Sequence, residues 1–147
     1  MDSIARHIRD IPDFPKPGIL FKDLTPLMRA PEALRATTRA LAEPFRHAGV
    51  TAVVGMEARG FIFGSLVAAE LGVGFVPLRK PGKLPAATHA VSYDLEYGSA
   101  SLEIHADALT SEDRVLLVDD LMATGGTAAA SLTLVRRTGA TVAGCAF

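Results

Sequence analysis

The segment Val115-Leu116-Leu117-Val118-Asp119-Asp120-Leu121-Met122-Ala123-Thr124-Gly125-Gly126-Thr127 restricts the fold more than any other. It reads as an apolar strand closed by two acids, then a loop of small residues, then the start of a helix. In an open parallel sheet, ligands collect at that carboxyl edge. From about residue 50 onward, β-branched runs at Thr51–Gly55, Val73–Leu78, Val115–Asp119 and Thr141–Phe147 alternate with helical patterns. That alternation predicts an α/β fold with a mostly parallel central sheet flanked by helices. In Gly60–Leu71 the residues Phe61, Ile62, Phe63, Leu66, Val67 and Leu71 face almost every direction. A solvent face is therefore expected to be nearly missing, with the helix packed on the sheet and available to a second subunit. In the next crossover Ala128, Leu132 and Val135 recur at helical spacing, Gly139 suits a left-handed cap, and Arg136 and Arg137 complement the negative helix end.

The first 50 residues read differently. A short helix is expected around Ser3–Arg9, then a proline-punctuated stretch Ile11–Gly18, then a longer helix from Pro31 to about His47, with Leu34, Thr38, Leu41 and Phe45 on one face and Pro44 kinking its end. Arg79–Gly98 reads as a long connection, and loops of that length are usually functional. Ser99–His105 alternates like an exposed strand. With 147 residues, the chain is expected to form a single domain.

Composition narrows the function. Lys and Arg total 15 against 16 Asp and Glu, so no diffuse positive field exists to hold a nucleic acid. Charges, Gly and Pro interrupt every apolar run too soon for a bilayer span, and 49% hydrophobic residues exclude a disordered tail. The N-terminus carries charge where a signal peptide needs apolar residues, so a cytoplasmic protein is expected. A single cysteine, Cys145, excludes an internal disulfide and reads as a small buried apolar residue. His7, His47, His89 and His105 lack metal-ligand spacing and read as surface or loop residues.

Ala123 to Thr127 carry little side-chain bulk, so several backbone N–H groups can converge on one anion at the positive end of the helix, with the Thr124 and Thr127 hydroxyls as further donors. An ordinary tight turn with Thr124 as N-cap would also explain the glycines and the threonine. It would not explain two consecutive carboxylates, whose repulsion is tolerable where a sugar diol or a cation is held. Together, loop and acids suggest a ribose phosphate. Gly55-Met56-Glu57-Ala58-Arg59-Gly60 has Walker A glycine spacing, but Phe61-Ile62 stands where Lys-Ser/Thr must be. Gly72-Val73-Gly74 lacks the third glycine of a dinucleotide fingerprint and enters a strand. The Glu57–Gly60 turn nonetheless joins a strand to a helix and carries an arginine, which suits a second anion on the same edge.

Val118–Thr127 resembles the phosphoribosyl-diphosphate signature of the type I phosphoribosyltransferases. Three further stretches are similar to the adenine-specific members of that family: Phe14–Pro26, Glu57–Gly64, and Arg79–Pro85 leading to Tyr93-Asp94-Leu95-Glu96-Tyr97-Gly98. The resemblance covers essentially the whole chain. It implies transfer of a 5-phosphoribosyl group from its 1-diphosphate to N9 of adenine, giving AMP and diphosphate with Mg²⁺ present. It divides the domain into an N-terminal hood over residues 1–30, a flexible loop and hairpin over 79–105, and the sheet.

Roles follow from the same resemblance. Ala123, Thr124, Gly125, Gly126 and Thr127 would cradle the 5-phosphate. Asp119 and Asp120 would bind the ribose hydroxyls and favour an oxocarbenium-like sugar. Mg²⁺ would be held mainly by diphosphate and sugar oxygens, with the aspartates nearby or reached through water and no dedicated protein cage. Ala58, Arg59 and Gly60 would meet the diphosphate, in a turn expected to have strained geometry around Glu57-Ala58. Arg79, Lys80 and Lys83 would add positive charge there, some from a neighbouring subunit. Phe21 would stack on adenine while backbone groups of Leu20 and Lys22 read its edge. Glu96 would handle the proton at purine N7, with Tyr97 among the substrate-binding residues. Taken singly, Arg59 also fits a surface ion pair, Phe21 a core residue and Glu96 a solvated charge.

The family pattern continues for a few dozen residues beyond the strand at Phe147, residues that complete the sheet edge and part of the purine pocket, so this sequence is expected to lack the usual C-terminal segment, either as a shortened chain or as an incomplete record of a longer one. A homodimer is the expected assembly. Two other readings keep the phosphate motif: a regulator that senses the ribose phosphate, disfavoured by the balanced charge, and an oxopurine transferase, poorly matched by Phe21 and Glu96.

Overall fold

Residues 2–94 and 98–147 are described by the computed structural model. The chain divides into two compact units, one ending at Ala40 and one spanning Leu41–Phe147. In the first, helix α1 covers only Asp2–Ala5, and Arg9 opens strand β1 (Arg9–Pro12) instead of closing the expected helix. β1 pairs antiparallel with β2 (Leu20–Asp23), Arg9 opposite Asp23 and Ile11 opposite Phe21. The proline-rich stretch is thus partly a regular ladder. Cross-strand pairing outweighs local helix preference: Arg9 Nη2 lies 2.6 Å from Asp23 Oδ2, and Lys22 Nζ 2.6 Å from Asp10 Oδ1. The Lys22–Asp10 pair is exposed and adds little energy, whereas Asp23 is mostly covered; the ladder and the Phe14–Phe21 edge contact at 5.1 Å set the register. The connecting turn holds a cis Phe14–Pro15 bond, and Gly18 N–H donates to Asp13 Oδ1 at 2.7 Å. Asp23 also accepts the Thr25 N–H at 2.9 Å, at the entrance to α2 (Thr25–Arg29), and with Arg9 this holds its carboxyl down at about 2.

Helix α3 (Pro31–Ala42) stops short of His47, and a 3₁₀ turn follows over Glu43–Phe45. Pro44 brings no N–H to an α-helical ladder, which is why the ending tightens there.

The second unit is built on four parallel strands, β3 (Ala52–Met56), β4 (Gly74–Leu78), β7 (Arg114–Val118) and β8 (Thr141–Ala146), in the order β4-β3-β7-β8. All five residues of β3 and the last four of β7 are buried, as continuous apolar runs in a two-sided parallel sheet require. Helix α4 (Arg59–Leu71) joins β3 to β4, and α5 (Gly126–Arg137) joins β7 to β8. On α4 the residues Gly60, Phe63, Gly64, Val67 and Ala68 are buried, but Ile62 is 40% exposed, so the helix does present a solvent face. Its apolar residues outnumber the positions the sheet can cover. α4 sits close to the sheet because Gly55 and Gly64 make room for Phe75: a Cβ on either would come within 2.6 or 2.8 Å of that ring.

Between β4 and β7 lies a hairpin of β5 (Thr88–Asp94) and β6 (Ser99–His105), in register from Thr88 opposite His105 to Asp94 opposite Ser99. The stretch expected as one connection from Arg79 to Gly98 therefore contains a strand. His89 and His105 lie on these strands, and β6 is half-buried rather than exposed, with Leu102 and Ile104 in the core beside Met56, Leu78 and Leu117. Reciprocal backbone bonds between Arg79 and Glu103, at 3.0 and 2.7 Å, fasten the hairpin to the end of β4. Cys145 packs partly buried against this core, and burial raises its thiol pKa.

Candidate active site

Parallel strands end in step, so the residues after β3 and β7 emerge side by side. In register terms Gly55 lies opposite Val118, which sets Glu57–Arg59 beside Asp119 and Asp120. These residues line a cleft of about 660 Å³, together with Lys80, Thr127 and Tyr93 of the β5–β6 hairpin. Contact between the two turns is tight. A Cβ at Gly60 would lie 2.8 Å from the Val118 carbonyl oxygen and 2.9 Å from Asp119 Oδ1.

Arg59 Nε donates to Asp120 Oδ2. The Asp120 side chain is only 10% exposed, and the backbone N–H of Asp120 donates to Asp119 Oδ1 at 2.9 Å. The two acids consequently differ. Burial, reinforced by the Asp120 charge, pushes Asp119 up to about 7, against the opposing pull of the Asp120 N–H and Arg59. Asp120 is paired with a guanidinium, and burial together with the neighbouring charge disfavours ionisation of Asp119, so the two acids are held in unlike environments.

The first turn carries the expected unusual geometry, a cis Glu57–Ala58 peptide. Its glutamate accepts the Lys80 N–H at 2.9 Å and faces Arg79 Nε at 3.4 Å. These contacts, the Lys80 N–H first, hold the Glu57 carboxyl below the usual range. Arg79 also donates to the Lys83 carbonyl at 3.2 Å, and Gly82 N–H donates to a Glu103 carboxylate oxygen at 3.1 Å. Of the three expected cationic side chains, Lys80 lines the cleft and Arg79 is engaged with Glu57.

The second turn is longer and open. Leu121, Met122, Ala123 and Thr124 are exposed, and Ala123–Thr127 line a recess of about 150 Å³. Gly125, at φ +84°, stands at the N-cap of α5 with no side-chain cap bond, so Thr124 is not the cap. A left-handed residue there turns the chain so that the first helical N–H groups stay free. Gly139, at φ +91°, does close the other end. Among the described residues, no cluster of three or more His, Cys, Asp or Glu is placed to hold a metal. Leu20, Phe21 and Lys22 belong to the N-terminal unit, on β2. Glu96 and Tyr97 lie outside the described residues.

Two groups escaped the sequence reading. The Glu57 carboxylate was seen only as part of its turn. Tyr93, whose Oη lies 3.1 Å from Thr127 Oγ1, carried one signal, its alternation with Val91 on the core-facing side of β5.

Fold and cleft together define an α/β domain with a parallel sheet and an open cleft at its carboxyl edge. Residues 24–147 match the phosphoribosyl transferase domain family. The adenine phosphoribosyltransferase of Methylococcus capsulatus is 66% identical over 147 residues, spanning 100% of this chain and 86% of its own length. The crystal structure of adenine phosphoribosyltransferase from Rhodothermus marinus superposes with a TM-score of 0.93 at 54% identity, covering 99% of this chain and 83% of that one. That of Saccharomyces cerevisiae, complexed with an imino-altritol bisphosphate and adenine, superposes with a TM-score of 0.91 at 41% identity, covering 96% of this chain and 82% of that one. The chain belongs to the adenine phosphoribosyltransferase family.

Proposed function

We infer that this protein is a purine salvage transferase that moves the 5-phosphoribosyl group of 5-phosphoribosyl 1-diphosphate onto N9 of adenine, releasing AMP and diphosphate. The observation that carries this reading is the pairing of an open anion loop at Ala123–Thr127 with two unlike carboxyls, Asp119 and Asp120, on one edge of the sheet. The 5-phosphate sits on the loop, and the acids take the ribose hydroxyls. As the C1–O bond breaks, positive charge grows on the sugar, and the nearby carboxylates favour it. Arg59, with the Ala58 and Gly60 backbone, receives the departing diphosphate, so donor binding draws Arg59 from Asp120. Lys80 and Lys83 supply further positive charge, and Arg79 serves by holding Glu57.

Phe21 stacks on the base while Leu20 and Lys22 read its edge, and Glu96 handles the proton at N7, with Tyr97 beside it. Main-chain groups suit an amino-purine because a 6-oxo purine would leave a buried donor or acceptor unpaired. The hard oxygen donors of Asp119 and Asp120 suit Mg²⁺ that would arrive on the substrate, held mainly by diphosphate and sugar oxygens with the aspartates nearby or reached through water. Mg²⁺ bound there supplies positive charge to the leaving diphosphate. We assign one functional domain to the whole chain, with residues 1–30 as a hood and 79–105 as loop and hairpin. We also assign a homodimer, supported by exposed Ile62, Leu121 and Met122, and a cytoplasmic location, consistent with the lack of any membrane-length apolar helix among the described residues.

The test mixes protein, adenine, the donor and Mg²⁺ and follows AMP. Turnover with guanine or hypoxanthine but not adenine would reassign the base, and tight donor binding without turnover would make the protein a sensor.

A further inference from the structure

Thr127, the second residue of α5, bears the last hydroxyl of the anion loop, and that hydroxyl meets a side chain from another element, the Tyr93 phenol at 3.1 Å. A threonine hydroxyl has one proton and two acceptor positions, and left to itself it rotates among several partners. If a second hydroxyl donates to it, one lone pair is occupied and its own proton is directed elsewhere. Toward the loop, the only acceptor that phosphate binding introduces is a phosphate oxygen. Tyr93 is well placed to do this, because its ring is partly buried against the core alongside Val91 and Leu102. The phenol is thus positioned by packing as well as by the hydrogen bond. A relay of two hydroxyls ending on an anion also gains from mutual polarisation.

We propose that Tyr93 is a positioning residue for the phosphate end of the donor: its phenol donates to Thr127 Oγ1 and aims the Thr127 proton at the 5-phosphate. The proposal rests on the transferase reading above. Tyr93 stands on β5 three positions before Glu96.

The experiment is a double-mutant cycle on the intact chain, read by calorimetric binding of ribose 5-phosphate and, separately, of diphosphate. Y93F keeps the ring and deletes only the donor. It should weaken ribose 5-phosphate about three- to tenfold, the range of one neutral hydrogen bond, while diphosphate affinity stays within about 1.5-fold. In a T127V background Y93F should cause no further loss, and in a T127S background its effect should return. Equal losses for both ligands, no loss in Y93F, or an undiminished effect beside T127V would each overturn the proposal. Failure of the wild-type protein to bind ribose 5-phosphate would instead overturn the transferase reading.

Discussion

Two strand-to-helix turns stand side by side on the same sheet edge, and they are held in opposite ways. After β3 the chain needs only Glu57 and Ala58 to reach α4, through a cis peptide, and the turn is held from outside by Lys80, Arg79 and Asp120. After β7 it takes residues 119–125 to reach α5, four of them exposed, with a glycine cap and no side-chain cap bond. The short turn is preformed and its cation is already paired. The long one offers free N–H groups and few internal contacts. On the proposed reading, the first turn would receive the leaving diphosphate and the second would wrap the 5-phosphate.

The strongest way to break this contrast is to press the two turns apart. G60A would drive a methyl group to 2.8 Å from the Val118 carbonyl oxygen, a backbone atom that cannot rotate away. The expected result is a loss of about 1–3 kcal/mol in stability by urea unfolding, as for other overpacked sites. With Arg59 and Asp119 displaced together, AMP formation should fall by roughly a hundredfold or more. Wild-type activity in G60A would mean that the register of the two turns is unimportant.

D120N acts on the electrostatics alone. Arg59 loses its anionic partner and Asp119 loses the like charge that helps to raise it. The kcat/KM for the donor should drop by about tenfold, most of it in KM, because the lost contacts are those to the ribose. The proton on Asp119 should come off at lower pH, measurable as a downfield-shifting carboxyl resonance. An unchanged KM would remove Asp120 from the ribose site.

How far the sequence could be read follows the same divide. The four sheet strands were visible because a two-sided parallel sheet demands unbroken runs such as Val115-Leu116-Leu117-Val118, and the loop after them because small residues beside acids are chemically conspicuous. The β1–β2 ladder was hidden: Arg9-Asp10-Ile11-Pro12 has no apolar run, and a partner eight to fourteen positions away decides its shape. Strand β5, Thr88–Asp94, is mostly polar and becomes regular only by pairing with β6. The opposed states of Asp119 and Asp120 were equally out of reach, because burial and the approach of Arg59 are tertiary facts. Phe21 and Glu96 owe their proposed roles to motif resemblance and not to local chemistry.

A smaller effect tests the protonated acid. Since Asp119 titrates near 7 in the folded protein against an ordinary 3.8, the folded form holds a proton that the unfolded chain gives up. The stability this group lends is complete below about pH 4, declines as pH rises between the two values, and is gone above pH 7. D119N removes the ionisation while leaving an oxygen to accept the Asp120 N–H. Its Tm should match wild type near pH 4 and exceed it at pH 8 by about 2–4 °C, the shift that roughly 1 kcal/mol brings in a domain of this size. A D119N protein less stable at pH 8 would show that Asp119 is ionised and paired.

The least effect is expected where the long turn meets its helix, and it sharpens the contrast because the same substitution fails for a different reason. At Gly125 an added Cβ meets nothing within 4 Å, yet φ is +84°, a region that L residues with a Cβ enter at a cost of roughly 1 kcal/mol. G125A should therefore lower stability by about that amount or less, because the exposed flank can relax, while weakening ribose 5-phosphate by a few-fold at most. Asparagine tolerates the left-handed region better than alanine, so G125N should recover part of the loss despite its larger side chain. At Gly60 the order must reverse, since there volume decides and asparagine is worse than alanine. Measuring the four variants by urea unfolding separates crowding from conformation: a common ranking at both glycines would mean that the two turns are held by the same forces after all.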